Sequence, residues 1–134
     1  MIYEKTITAS LYDIDAAGVM FFAHYFRHAH DVYEAFMAEI GSSLPRLIEQ
    51  RTLLPLVHSE ADYHLPVRHG EQLTIALQLE RLGNSSFTLG YRFLNRTGQE
   101  AAHLRTTHVM LNPVDRQSMS LPEALRSELS RYAV

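Results

Sequence analysis

Two aspartates at D-x-D spacing, Asp13 and Asp15, lie in a short break that ends at Gly18, between a strand-like stretch and a long helical one. Such residues shape turns and complement a helix dipole. Three sharper chemistries also use this spacing. A calcium loop starting at Asp13 needs oxygen ligands at its fifth and twelfth positions, which here are Ala17 and His24. An aspartyl-nucleophile phosphatase sets D-x-D after a strand of a doubly wound parallel sheet, and this chain has neither the length nor the alternating helices for one. The third chemistry uses the helix start itself. Free backbone N–H groups there form a preorganised positive site for a carbonyl oxygen gaining charge. A carboxylate just before them can attack that carbonyl or activate a water to do so. An acyl-transfer centre of this kind needs no Ser, Cys or metal.

Histidine is the other abundant reactive type, with eight in the chain. His24 and His28 are spaced i, i+4 and can share a helix face, with His30 nearby. Zinc would need a third ligand, and no H-E-x-x-H is present, so these read as hydrogen-bonded histidines and no metal is expected. His24, in the first helical turn, is the one expected to touch a ligand. Arg68, Arg92, Arg96 and Arg105 are candidates for binding phosphate.

The elements that must position these groups follow from periodicity. The first dozen residues read as a strand. Phe22, Tyr25, Phe26, Ala29, Val32, Tyr33, Phe36, Met37 and Ile40 recur at steps of three and four, one long helix closed by Gly41. Arg27, Asp31, Glu34 and Ala38 fall on its opposite face. A shorter helical stretch covers 43–51, and a strand covers 54–65, ending at Pro66. Leu73, Ile75, Leu77 and Leu79 then alternate with Thr74, Ala76, Gln78 and Glu80, as do Phe87, Leu89, Tyr91 and Phe93 after a turn at 83–85. A turn at 95–98 leads to a last strand over 99–111, and a final helix covers 122–132. The fold class is therefore α+β, a curled antiparallel sheet of about five strands wrapped around one long helix. The whole chain, 1–134, is expected to form one domain. A sheet of this kind leaves an edge to be covered, which predicts a homodimer or homotetramer.

Composition excludes other classes. The formal charge of −3 supplies no basic surface for nucleic acid. With no cysteine, thiol nucleophiles, disulfides and Cys-based zinc sites are absent. The first ten residues lack a signal-peptide pattern and no apolar run approaches the ~20 residues of a membrane span, so a cytoplasmic protein without membrane association is expected.

The run from Asp13 through Asp15, Gly18 and Phe22 into Tyr25 resembles the signature of the 4-hydroxybenzoyl-CoA thioesterase family of hotdog enzymes. Later blocks extend the resemblance in order: Pro55 to Ser59, Asp62-Tyr63 with Pro66, Gly70 to Leu73, and Thr107-His108-Val109. Within the family, His30-Asp31-Val32-Tyr33-Glu34 and Leu54 to Ser59 are similar to the 1,4-dihydroxy-2-naphthoyl-CoA hydrolases of quinone biosynthesis. The resemblance implies an acyl-CoA thioesterase with a coenzyme A thioester substrate and no cofactor. It implies that Asp15 is the catalytic carboxylate, that the backbone N–H near Phe22 polarises the thioester carbonyl, and that a neighbouring subunit completes the site. Gly18, His24, Tyr25, His58 and Ser59 are the expected substrate-binding residues. Short-chain acyl-CoA thioesterases of the Tol–Pal branch carry a His where Phe22 stands, which favours an apolar, aromatic-accepting pocket here. His24 departs from the asparagine or small residue common at its position. Another hotdog lineage uses a helix Glu, but Glu34 falls on the polar face and reads as solvated. The alternatives are a short-chain thioesterase, a non-catalytic acyl-CoA or acyl-carrier binding module, and a dehydratase, whose His-acid motifs are missing. Asp13→Asn is expected to be milder than Asp15→Asn.

Overall fold

The alternation in the second half of the chain becomes a continuous antiparallel sheet in the computed structural model, which describes residues 1–134. In chain order the elements are β1 (Tyr3–Thr8), α1 (Phe22–Glu39), α2 (Leu44–Glu49), β2 (Leu56–Tyr63), β3 (Gln72–Leu82), β4 (Ser86–Leu94), β5 (Glu100–Val109) and α3 (Glu123–Ser130). The sheet order is β1-β3-β4-β5-β2. The central meander β3-β4-β5 is thus flanked by two strands that arrive from elsewhere in the chain, and both edges are strands paired on one side only. The first strand is shorter than expected: it stops at Thr8, and a 3-10 turn over Leu11–Asp13 carries the chain toward α1.

The expected alternating residues of β3 and β4 are buried, with Ile75, Leu77, Leu89 and Phe93 wholly inaccessible. On β5 the buried set is Ala101, Ala102, Leu104, Thr106 and His108. Against this face lies α1, which buries Tyr25, His28, Ala29, Val32, Tyr33, Phe36 and Met37. Two positions depart from the helical stripe read in the sequence. Phe22, the first residue of the helix, is 61% exposed, and His28 is buried although polar. The helix ends in a Schellman arrangement: the Ser42 N–H donates to Met37 C=O and the Gly41 N–H to Ala38 C=O, with Gly41 at φ +86°. The closing helix α3 buries Leu125 and Leu129, and Tyr132 beyond it meets Phe36 edge to face at 5.0 Å. No helix is long and apolar enough to cross a membrane.

β2 differs from the central strands in being exposed along nearly its whole length, with Leu56, Val57 and Tyr63 each about half exposed or more. A register shift between Leu56 and His58 sets which of its residues face α1. Ser59 pairs with inward-facing Thr106, so it points to the helix side; His58 pairs with outward-facing Thr107.

The outer face carries a polar network made possible by one glycine. Glu80 crosses Gly90 of the intervening strand to bond His103 at 2.7 Å and Arg105 at 2.6 Å. A Cβ at position 90 would occupy the space of the Glu80 carboxylate. Gly90→Ala should therefore destabilise the protein by about 1 kcal/mol, the low end for overpacking. The same substitution in a Glu80→Ala background should cost little. Thermal melts of the four proteins of this cycle check the coupling.

Candidate active site

The acidic loop is built around Asp13, whose side chain is wholly buried. Its Oδ2 accepts from the Ser10 N–H at 3.0 Å and from the Ser10 hydroxyl at 3.2 Å, a capping box on the 3-10 turn. Its Oδ1 is met by Arg27 Nη2 at 2.8 Å, His24 Nδ1 at 3.1 Å and His28 Nε2 at 3.1 Å, three groups on the first two turns of α1. The Asp13 backbone carbonyl accepts from the Phe21 N–H at 2.8 Å. Burial alone pushes this carboxyl up, but the Ser10 N–H, Arg27 and the two histidines outweigh it and hold the carboxyl well below the usual carboxylate range. Asp13 is therefore an ionised peg joining the loop to the helix.

From that peg the chain makes a tight reverse turn. Ile14 and Met20 form an antiparallel bridge, the Asp15 N–H donates to Val19 C=O at 2.9 Å, and the Gly18 N–H to Asp15 C=O at 3.0 Å. Gly18 sits at φ +83°, a conformation that L side chains rarely adopt. Asp15 is half-buried at the base of this turn. Its Oδ1 accepts from the Ala17 N–H at 2.8 Å and more distantly from the Val19 N–H at 3.4 Å, while Oδ2 accepts nothing from the chain. One carboxylate oxygen is thus anchored and the other is open.

The helix start beside it is uncapped. Phe21 holds the N-cap position and offers no side-chain hydrogen bond, and the first turn carries no acid. With the Phe21 N–H on Asp13 C=O and the His24 N–H on Phe21 C=O, the Phe22 and Ala23 amides keep their donor capacity for something outside the chain. Phe22, the first helical residue, lines a cleft of about 350 Å³ together with Asp15, Tyr25, Tyr63, Leu65 and Pro66. Tyr63 fixes this wall: its hydroxyl donates to the Phe22 carbonyl at 3.2 Å, and its ring meets Tyr25 edge-on at 5.0 Å. Burial raises both phenols, that of Tyr25 to about 12 with help from the charges of Tyr63 and Glu71, so both stay protonated. They serve as walls and donors, not as bases.

The structure brings together Asp15, Phe22 and Tyr25 of the residues expected from sequence, while Gly18 closes the turn that carries Asp15 and does not line the cleft. It does not bring His24, whose imidazole is turned onto Asp13 and packed between Tyr12 and Phe21 at 4.9 and 5.7 Å. The role expected for His24 at the ligand gives way to a structural one, since its ring nitrogen already serves a buried carboxylate. His58 lies on the outer face with Glu60 at 3.3 Å, because the register shift in β2 turns it away from α1. Ser59 faces the helix side but sits four residues up the strand from Tyr63, on the exposed edge. Among the arginines, Arg92 is paired with Glu100 and Arg105 with Glu80, whereas the side chains of Arg68 and Arg96 form no ion pair. Glu34 pairs with His30 on the exposed side of α1. Arg27, inserted beside Asp13 and His28, fills the place that a cation between those groups would take. Tyr63, Leu65 and Pro66 are not among the site residues expected from sequence, although Tyr63 and Pro66 lie in a block that carries the family resemblance.

The two aspartates therefore sit in different surroundings, Asp13 buried and fully bonded and Asp15 with one oxygen open. Asp13→Asn should lower stability by about 3 kcal/mol, the cost of breaking a buried charge network, and so be the harsher of the pair for the fold. The sign with pH follows from the lowered carboxyl: its contribution is complete above the unfolded-state value near 4 and is lost as pH falls through the lower folded-state value. Denaturant unfolding of both proteins between pH 7 and pH 2 should show the wild type losing this increment in acid and the Asn variant flat with respect to it.

Comparison with known proteins places these features. Residues 9–129 match the model of the thioesterase-like superfamily. A 1,4-dihydroxy-2-naphthoyl-CoA hydrolase from Synechococcus elongatus is 40% identical over 119 residues, covering 87% of each chain. One from Gloeothece citriformis is 35% identical over 134 residues, covering 98% of this chain and 92% of the relative. The crystal structure of a 1,4-dihydroxy-2-naphthoyl-CoA thioesterase from Synechocystis superposes with a TM-score of 0.90 at 25% identity, covering 97% of this chain and 96% of that one.

Proposed function

The chain belongs to the thioesterase-like superfamily, and we propose that it hydrolyses 1,4-dihydroxy-2-naphthoyl-CoA to the free acid and coenzyme A, with Asp15 as the catalytic carboxylate. The observation that carries the mechanism is a juxtaposition: a half-buried carboxylate with one open oxygen shares a cleft with the uncapped first residue of an 18-residue helix. A thioester carbonyl seated on the Phe22 N–H gains hydrogen bonding and helix-dipole stabilisation as its oxygen becomes negative. The open Asp15 oxygen then either attacks the carbonyl carbon or takes a proton from a water that does. On the water route, collapse of the tetrahedral intermediate breaks the C–S bond and the proton held by Asp15 passes to the departing sulfur, giving the coenzyme A thiol. On the direct route the sulfur leaves as a thiolate, and the water that then cleaves the resulting anhydride supplies its proton. Phe22, exposed in the cleft beside Tyr25 and Tyr63, supplies flat apolar surface that suits an aromatic acyl group.

Asp15→Asn should lower kcat/KM by about 10³-fold while the thermal melt stays within a degree or two, because only the anchored oxygen serves the turn. Thiol release from 1,4-dihydroxy-2-naphthoyl-CoA, benzoyl-CoA and straight-chain acyl-CoAs, measured with both proteins, tests activity and substrate together. Near-wild-type turnover by the variant rejects Asp15; a preference for straight chains rejects the aromatic substrate.

The active molecule is a homodimer or homotetramer. β2 leaves one edge unpaired and exposes Leu56, Val57 and Tyr63 along it, and a second copy meeting this edge would cover them beside the cleft that Tyr63 walls. Light scattering at micromolar concentration should give at least twice 15.3 kDa. An active species of single-chain mass overturns the assignment.

A further inference from the structure

Two arginines beside the cleft take no part in holding the fold. Of the four that the sequence offers for phosphate, Arg92 is held by Glu100 at 2.8 Å and Arg105 by Glu80 at 2.6 Å. Arg68 and Arg96 are exposed, and neither guanidinium forms an ion pair or a hydrogen bond within the chain. Both lie at the cleft end of the sheet. Pro66 lines the cleft, Val67 is buried, and Arg68 is exposed again, so Pro66 and Arg68 project to the same side. Leu65, also of the cleft, donates its N–H to the Ala101 carbonyl at 3.1 Å, two residues after Gln99. Gln99 in turn lines a groove of about 540 Å³ with His69, Gln72, Asn95, Arg96 and Thr97, and no apolar side chain enters it.

The walls of this groove are held by the chain itself. The Ala9 N–H donates to Glu71 C=O at 2.9 Å and the Gly70 N–H to Ala9 C=O at 2.8 Å, which ties one wall to the end of β1. The Asn95 side chain accepts from the Thr97 N–H at 3.1 Å and from the Gln99 N–H at 2.9 Å, which sets the turn that bears Arg96. One acid shares the groove, Glu71, and one of its oxygens accepts from the Arg68 N–H at 3.0 Å. Two guanidinium charges therefore face one carboxylate, and the surplus suits an anion.

We infer, building on the function proposed above, that Arg68 and Arg96 hold the phosphates of the coenzyme A thioester, with its nucleotide end lying in the groove. A guanidinium fork matches phosphate oxygens, and His69 and Gln72 add further polar partners. Between the thioester sulfur and the first phosphorus run about thirteen bonds, roughly 15 Å when extended at the spacing of a peptide chain. The cleft holds about 350 Å³, so part of that length stays within it. The step from Pro66 to Arg68, at most ~7 Å, takes up the rest. These contacts are remote from the reacting carbonyl, so they act on binding and not on the chemical step.

The test splits KM from kcat. With 1,4-dihydroxy-2-naphthoyl-CoA, Arg68→Ala and Arg96→Ala should each raise KM about fivefold, the upper end for an exposed charge pair. The double variant should raise it about 25-fold, with kcat unchanged throughout. The matching thioester of pantetheine, which lacks the nucleotide and its phosphates, should show one KM for all four proteins. Arg96→Lys, which keeps the charge without the fork, should recover part of the loss. Titration calorimetry with coenzyme A and with pantetheine reads the same contrast without turnover, and thermal melts should coincide because both side chains are exposed and unpaired. Equal KM of wild type and double variant for the coenzyme A ester, or an equal rise for the pantetheine ester, overturns the inference and leaves hydrolysis standing. Arginine-dependent binding of coenzyme A in a protein that hydrolyses neither ester supports the inference and rejects hydrolysis as the activity.

Discussion

A single buried carboxylate, that of Asp13, sets the geometry on which the rest of the candidate site depends. An ion with no solvent contact is stable only if its lone pairs are used, and here Ser10, His24, Arg27 and His28 use them. The four partners come from two pieces of chain that would otherwise have no fixed relation: the 3-10 turn after β1 and the first turns of α1. Drawing them together fixes where the intervening reverse turn must lie. Asp15 and the start of α1 are then held on either side of one cleft. Asp15 needs few contacts of its own because its neighbour two residues earlier has so many.

The scaffold answers a different requirement. Apolar residues of β3, β4 and β5 alternate into one face, and α1 covers that face with its own stripe. This packing makes the helix a rigid ruler with its first residue at the cleft. Tyr63 ties the ruler to the edge strand by bonding the Phe22 carbonyl. The outer face is held separately, through Glu80 lying over Gly90.

Much of the fold was legible because its signals are local. Steps of three and four from Tyr25 to Met37, and of two through β3 and β4, reflect burial on one side of regular elements, and the structure follows them closely. The acidic loop was legible as a place, since D-x-D before a helix and a glycine at position 18 restrict the backbone. What could not be read was direction. Asp13 and Asp15 are the same residue type two positions apart, and only the convergence of Arg27, His24 and His28 from the next element distinguishes the buried peg from the open carboxylate. His24 looked available for a ligand because nothing in its neighbourhood in sequence shows that its ring turns back. His58 and Ser59 are separated by the alternation of a strand whose register shift at Val57 has no sequence mark. His108 sits in the last strand, and its unpaired nitrogen becomes visible only once Thr106 and Tyr91 are placed around it.

The missing cap at Phe21 has a further consequence for how this protein can change. Ser, Thr, Asp or Asn at that position would ordinarily stabilise a helix by about 1 kcal/mol, and general stabilisation strategies would select such a replacement. Here the side chain would bond the Ala23 or His24 N–H, next to the Phe22 amide on which a carbonyl oxygen would sit, and would crowd the open helix start in every molecule. Thermal robustness and turnover therefore compete for the same space at the head of α1. Variants chosen for heat resistance alone should drift toward folded, well-behaved and sluggish proteins. Changes that firm up the outer face, far from this helix start, leave that conflict untouched.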